Sequence, residues 1–313
     1  MAAWSLAGKV VFITGGAAGL GAATAAELAR RGAVPVLADV DAPGLEAAAD
    51  AIHPRPLTVV VDVVDMAACE RAVHETTAHH GHLDAVWANA GIASFGPLAA
   101  TDPTAWTRTI EINLLGAFRT VRAALPAVVA SRGYVAVTAS LASFAHPPGM
   151  SAYSASKAGI EAMCNALRFE VAHHGVEVGT IHPTWIDTAM VREGDEEQPA
   201  FQRLREAARP PFRKTYPVQR AAGDIADGFE RRSRRICTPP FIRAAHLLRA
   251  ALTTRAFERD YLKAAPEVVS LFDAQVTQRG RLEASLSDRT RDRLAPAPQD
   301  AEPRDLTVPA VRR

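Results

Sequence analysis

Short apolar runs rich in β-branched residues recur along the chain, at residues 9–14 (KVVFIT), 34–38 (VPVLA), 57–61 (LTVVV), 83–88 (LDAVWA), 134–138 (YVAVT) and 176–182 (VEVGTIH). Runs this short and this uniformly apolar predict strands buried on both faces, the pattern of a parallel sheet. Between them, an alanine-rich stretch ending near residue 31 and the segments 66–81, 102–131 and 153–173 read as helices. Strands alternating with helices at this spacing predict an α/β fold, a doubly wound parallel sheet with right-handed crossovers and helices on both faces. Further on, 189–222 reads as a charged, proline-interrupted lid of helix and loop, 224–235 as a helix and 236–238 as a short seventh strand. Residues 241–259 predict one helix with Phe241, Ala245, Leu248 and Leu252 in a stripe. A further helix is expected over 280–294, and 295–313, polar and proline-rich, reads as a disordered tail.

In a doubly wound sheet ligands gather beyond the carboxyl ends of the strands, so the residues found there carry the chemistry. The first run passes directly into Gly15, Gly16, Ala17, Ala18, Gly19, Leu20 and Gly21, and then into helix. Glycines let a backbone approach a pyrophosphate, and the free N–H groups of the helix start attract it. Asp39 ends the second run, placed to accept from the ribose hydroxyls of an adenosine and to repel a 2′-phosphate. Neither Val40 nor Ala18 supplies a cation for such a phosphate, so NAD is favoured over NADP; Asp41 stands beside Asp39 as a competing helix cap. Asp62 and Val63 follow the third run, Asn89, Ala90 and Gly91 the fourth, and Ser140 the fifth.

After the turn at His146, Pro147, Pro148 and Gly149, Tyr153 and Lys157 fall one helical turn apart on the same face. A free phenol titrates at about 10. A neighbouring ammonium favours the phenolate and moves that value toward the working range. The pair can then serve as general acid or base for an alcohol/carbonyl couple, although the spacing alone is a common coincidence. Asn113 lies on an otherwise apolar helical face, where an amide must be hydrogen-bonded, and taken singly it reads as a satisfied core residue.

Taken in order, TGGAAGLG at 14–21, Asp62-Val63, Asn89-Ala90-Gly91, Asn113, Ser140, YSASK at 153–157, and Pro183 with Thr188 resemble the pattern of the short-chain dehydrogenase/reductase family. The resemblance covers about residues 5–240 and leaves a C-terminal extension. It implies a Rossmann-type domain and an NAD(P)-dependent oxidoreductase acting on CH–OH donors, an alcohol dehydrogenase or ketone reductase, with NAD preferred. Tyr153 would be the acid/base, Lys157 would lower its pKa and hold the nicotinamide ribose, Ser140 would bond the reacting oxygen, and Asn113 would support a water-mediated proton path. Gly15, Ala18, Gly19, Leu20 and Gly21 would cradle the pyrophosphate and Asp39 the ribose. Asp62 and Val63 would meet the adenine, Asn89, Ala90 and Gly91 would line the cofactor channel, and Ile186 and Thr188, after Pro183, would meet the nicotinamide carboxamide. It also implies a homo-oligomer, dimer or tetramer, that pairs the helices holding Asn113 and Tyr153. In one respect the chain departs from the family: Thr184 stands where the family has glycine, so either that backbone is ordinary here or the loop over the nicotinamide is rearranged.

By the same resemblance Leu141, Ala142, His146, Pro147, Met150 and Trp185, with Ile92, Ala93 and Phe95, would wall the substrate cleft. That wall is mostly apolar, as small-molecule pockets are, and points to a hydrophobic secondary alcohol or ketone, steroid- or lipid-like; His146 reads as a solvent-facing loop residue. The division expected is 1–240 for the catalytic domain, 241–294 for a helical extension and 295–313 for the tail. Net charge is +1, from 12 basic against 20 acidic residues before 201 and 23 against 14 after it. The basic half reads first as a solvated face packed on the domain, and second as a surface for an anionic partner or membrane. Nothing in it points to nucleic acid. Cys69, Cys164 and Cys237 are widely spaced and form no metal-ligand grouping, and the N-terminal MAAWSLAGKVVFITGG holds no apolar run of signal-peptide or membrane-span length. A cytoplasmic enzyme without a metal is expected. An NAD(H)-binding redox sensor recruiting a partner through the basic region is the alternative, disfavoured by the intact set of Asn113, Ser140, Tyr153 and Lys157.

Overall fold

Strands β1 (Val10–Thr14), β2 (Val34–Asp39), β3 (Leu57–Val60), β4 (Ala85–Ala88), β5 (Tyr134–Thr138), β6 (Glu177–Pro183) and β7 (Arg235–Thr238) form one parallel sheet of order β3-β2-β1-β4-β5-β6-β7. The computed structural model describes residues 4–294, so the expected tail lies outside the described residues. Successive strand residues point to opposite faces. Val10 and Phe12 join one core cluster while Val11 and Ile13 join the other. Helices α1 (Gly19–Arg30) and α2 (Ala42–Asp50) cover the second face, and α3 (Met66–His80) covers the first. The long helical stretch that follows is interrupted: α4 (Pro103–Ile110) leads through a π-turn at Glu111–Leu115 into α5 (Gly116–Ala130), which joins α3 on the first face. Helix α6 (Ser151–Val171) begins two residues before the expected start and lies on that face too.

After β6 come α7 (Ala189–Glu197) and α8 (Pro199–Ala207), then α9 (Val218–Glu230) against β7 and α1. Helix α9 is displaced from the expected 224–235: Pro217 precedes its first turn, and Arg232, in left-handed backbone at φ 44°, closes the exit. The chain then forms α10 (Ile242–Leu247), α11 (Arg249–Leu252), α12 (Arg255–Arg279), α13 (Arg281–Ser285) and α14 (Asp288–Leu294). The single helix expected over 241–259 is therefore broken. The Thr253 and Thr254 hydroxyls bond back to the carbonyls of Ala250 and Ala251, offering the backbone a route out of the helix. Ala245 and Leu252 are buried as expected, but Leu248 faces solvent.

This C-terminal region closes the molecule over the carboxyl edge of the sheet. Phe95 and Met150 share a core with Ala200, Phe201 and Leu204 of α8 and with Ala264, Val268 and Phe272 of α12. Phe95 meets Phe201 edge-on at 5.5 Å between centroids. Gly96 is required by the same packing, since a Cβ there would meet Phe272 Cζ at 2.4 Å. Phe144, just after Ser140, packs with Ile242, Ala245 and Leu252.

Candidate active site

Strand order reverses where β1 lies between β2 and β4, and a crevice opens beyond their carboxyl ends. Gly15, φ +70°, makes the turn out of β1; a Cβ there would strike Asn89 Nδ2 at 2.8 Å. A Cβ on Gly21 would meet the Gly15 carbonyl at 2.1 Å, so the first helical turn packs directly on the loop. At Gly19 the nearest atom to a Cβ is Thr188 Cγ2 at 3.5 Å, which leaves space above the start of α1. Asp39, at the end of β2, accepts from the Ala17 and Asp41 amides, both at 3.2 Å, and faces the crevice. Asp41 is the cap of α2, accepting from Gly44, so the two carboxylates divide the roles the sequence left open. Asp62 and Val63 line the same crevice beyond β3, with Ala18, Leu20, Asn89, Ala90 and Gly91.

Asn89 is locked in place. Its Nδ2 donates to the Thr14 carbonyl at 3.1 Å, and its Oδ1 accepts from the Thr138 hydroxyl, which in turn accepts from Trp87 Nε1. Asn113 sits in the π-turn, where the extra residue in the turn shifts the side chain's direction. Its Oδ1 accepts from Ile92 N at 2.8 Å, and its Nδ2 donates to Ile92 O and Ser156 Oγ at 2.9 and 3.1 Å. The amide is a fully satisfied clamp on the loop after β4, as its residue type alone implies.

Ser140, Tyr153 and Lys157 line the cleft together. Lys157 Nζ donates to the Thr138 carbonyl at 2.8 Å and lies 5.5 Å from the centre of the Tyr153 ring. Ser140 Oγ accepts from Ala142 N at 3.1 Å, and its hydroxyl lies close enough to the Tyr153 phenol to favour the phenolate. The protonation balance differs from the sequence expectation. Burial drives the Lys157 ammonium down to about 7. Burial raises the Tyr153 phenol, and the bond from Ser140 only partly opposes it. Desolvation therefore outweighs the Ser140 hydroxyl, and the phenol lies above its ordinary value rather than below it.

Of the expected wall, Ile92, Ala93, Phe95, Leu141, Ala142, Pro147, Met150 and Trp185 line the cleft, while His146 is exposed and bonds the Ala142 carbonyl. Pro183, Ile186 and Thr188 form the wall across from Gly19. Thr184 has no left-handed backbone, which decides between the two possibilities for this departure: the backbone is ordinary. Its hydroxyl is buried without a partner among the described residues and stands in the cleft wall. The lid is tied at its base, where Tyr216 N donates to Trp185 O and Asp187 N to Tyr216 O. Arg205 lies over the Trp185 ring at 5.1 Å.

Sequence reasoning missed the far wall. Arg209 and Phe212, with Phe257, Asp260 and Tyr261 of α12, complete the cleft. It also missed Glu161, His182 and His246, which meet behind Ser140 with ligand-type atoms within 4.8 Å of one another. One signal was readable: Glu161 is four residues beyond Lys157, on the face that carries the site.

The space above Gly19, the glycines that admit no side chain, and the Asp39 carboxylate together fit a dinucleotide. Residues 9–199 match the short chain dehydrogenase family model. Cis-4-hydroxycyclohexanecarboxylate dehydrogenase of Sinomonas cyclohexanicum is 35% identical over 227 residues, 71% of this chain and 89% of that one. An uncharacterized NAD-dependent oxidoreductase of Mycobacterium tuberculosis is 35% identical over 205 residues, 60% and 74% of the two chains. The crystal structure of levodione reductase superposes with a TM-score of 0.70 at 28% identity, over 77% of this chain and 99% of that one.

Proposed function

The chain belongs to the short-chain dehydrogenase family and is an NAD-dependent oxidoreductase, and on that premise we propose that it interconverts a hydrophobic secondary alcohol and its ketone, with Tyr153 as the acid/base. The observation that carries the reading is the convergence of Ser140, Tyr153 and Lys157 on one cleft with the glycine turn and Asp39. NAD, when bound, accepts or returns the hydride at the substrate carbon. The chain's own residues handle the proton and the geometry. In oxidation the Tyr153 phenolate takes the hydroxyl proton as the hydride leaves carbon, and the new carbonyl oxygen stays bonded to Ser140 and the phenol. In reduction the phenol returns that proton. Lys157 stabilises the phenolate electrostatically when charged and holds the ribose hydroxyls. Asn113 fixes the loop that borders this space. Apolar walls from Phe95, Met150, Trp185 and Tyr261 exclude water and favour an alicyclic or lipid-like substrate. The named substrate of the Sinomonas relative, a ring secondary alcohol, supports that class.

Asp39 favours NAD over NADP, so Asp39→Ala should narrow the preference, read as the ratio of kcat/KM for the two cofactors. We place the enzyme in the cytosol as a homo-oligomer, joined through the helices that expose Leu115, Phe118 and Phe169; light scattering of the purified protein tests the assembly and cell fractionation the location. The deciding experiment is an NAD-linked screen of hydrophobic secondary alcohols, with Tyr153→Phe alongside. The variant should lose about 10²–10⁴-fold in kcat and keep its affinity for NADH. Wild-type rates in it would refute the assignment.

A further inference from the structure

Behind Ser140 lies a buried polar cluster that joins the cleft to the C-terminal region. Glu161 stands on α6 four residues beyond Lys157 and eight beyond Tyr153, on the same helical face. Its Oε1 accepts from His246 Nε2 at 2.8 Å and from Arg249 Nη1 at 3.2 Å, and its Oε2 accepts from Ser143 Oγ at 2.9 Å. His182, at the end of β6, places Nδ1 3.2 Å from the Ser140 carbonyl and Nε2 2.9 Å from the Thr180 hydroxyl. Glu161, His182 and His246 are all buried.

The chemistry of the partners fixes the protons. A carbonyl only accepts, so His182 Nδ1 carries the hydrogen and Nε2 accepts from Thr180. Ser143 Oγ lies 2.7 Å from the Ser140 carbonyl and 2.9 Å from Glu161 Oε2, so this hydroxyl ties the carboxylate to the Ser140 backbone, and the carboxylate is the stronger acceptor for its single proton. Burial pushes the Glu161 carboxyl up, but the bonds from His246 and Ser143 prevail and it lies below its ordinary value. Burial brings His182 down to about 4, so it is neutral at pH 7. A buried carboxylate tolerates its site only while its donors remain.

We infer that His246, with Arg249, is a positioning residue: acting through Glu161 and Ser143, it holds the turn that presents Ser140 to the cleft. The extension thereby sets the geometry of the active-site hydroxyl. The inference rests on the reading of Ser140 as the group that meets the reacting oxygen. The same three side chains have the composition of a metal site. However, both nitrogens of His182 and both oxygens of Glu161 already have partners, and the Arg249 guanidinium, 3.2 Å from Glu161 Oε1, would repel a cation held by that carboxylate.

The test uses the full chain and two readouts. The first is hydrogen exchange of the amides of Ala142, Ser143, Phe144 and Ala145, which bond within the turn. In His246→Ala they should exchange about tenfold faster, with the β1 and β4 amides unchanged. His246→Gln, which keeps a donor, should restore protection. The second is kinetics on an alcohol found in the screen. His246→Ala should lower kcat about tenfold and leave KM for NAD unchanged, again with rescue by Gln. Should His246→Ala not fold, Arg249→Gln, at a side chain more than half exposed, should accelerate the same amides at least about twofold. Wild-type exchange in the turn overturns the inference, whatever the activity; so does one tightly bound metal per chain that is lost with His246. Faster exchange in a chain that oxidises no alcohol would instead overturn the proposed reaction and leave the clamp standing.

Discussion

Burial holds the Lys157 ammonium at about 7, well under its ordinary 10.5, and this has a consequence for stability. Between those values the unfolded chain binds a proton that the folded chain does not. Stability contributed by this group is full above the unfolded value and is lost as pH falls toward 7. From pH 7 to 9 the folded state should gain roughly 2 kcal/mol from it. Lys157→Met should flatten that slope, which urea melts of both proteins at pH 7, 8 and 9 would reveal; parallel curves would show that the lysine is not desolvated. The Tyr153 and Lys157 spacing is legible in the sequence because a helix puts fourth neighbours together. Their proton balance is not legible, because it depends on how deeply loops from elsewhere bury them. Glu161 was hidden for a related reason: its partners at 143, 246 and 249 come from other elements.

The strands were legible element by element, since a strand covered on both faces must be apolar along its length, and β1, β2, β4 and β5 are, with Thr14, Asp39 and Thr138 only at the carboxyl ends. The π-turn was not, because one additional residue in a turn leaves no mark on an apolar helical pattern. Helix α12 was harder still. It buries only Ala264, Val268, Phe272 and Gln275 along 25 residues, and Pro266 inside it reads as a break. Phe272 nonetheless anchors it against Gly96 and the Phe95 ring. Phe272→Ala should cost about 3–5 kcal/mol of stability. It should also raise KM for the alcohol more than for NAD, since α12 contributes Phe257, Asp260 and Tyr261 to the cleft. Equal changes in the two constants would place the helix outside substrate binding.

At the scale of the whole molecule, the cofactor crevice is built before residue 200 and much of the opposite wall after it. A chain ending at residue 240 should still titrate with NADH through its glycine turn and Asp39, yet expose Phe95, Phe144 and Met150. Strong dye binding by such exposed surface, with a melting transition well below that of the full chain, is the expected result; an unaltered melt would show the extension to be dispensable. The region past 240 thus supplies part of the cleft wall, while the basic half of the chain, +9 over 201–313, reads from composition alone as a solvated face.

That division has an evolutionary side. The groups proposed to move a proton sit within the span matched by the family model, whereas Tyr261 and its neighbours lie outside it. A lineage can therefore trade one tail for another and turn to a new metabolite while its redox machinery descends unchanged, and two such enzymes alike up to residue 199 need have no substrate in common.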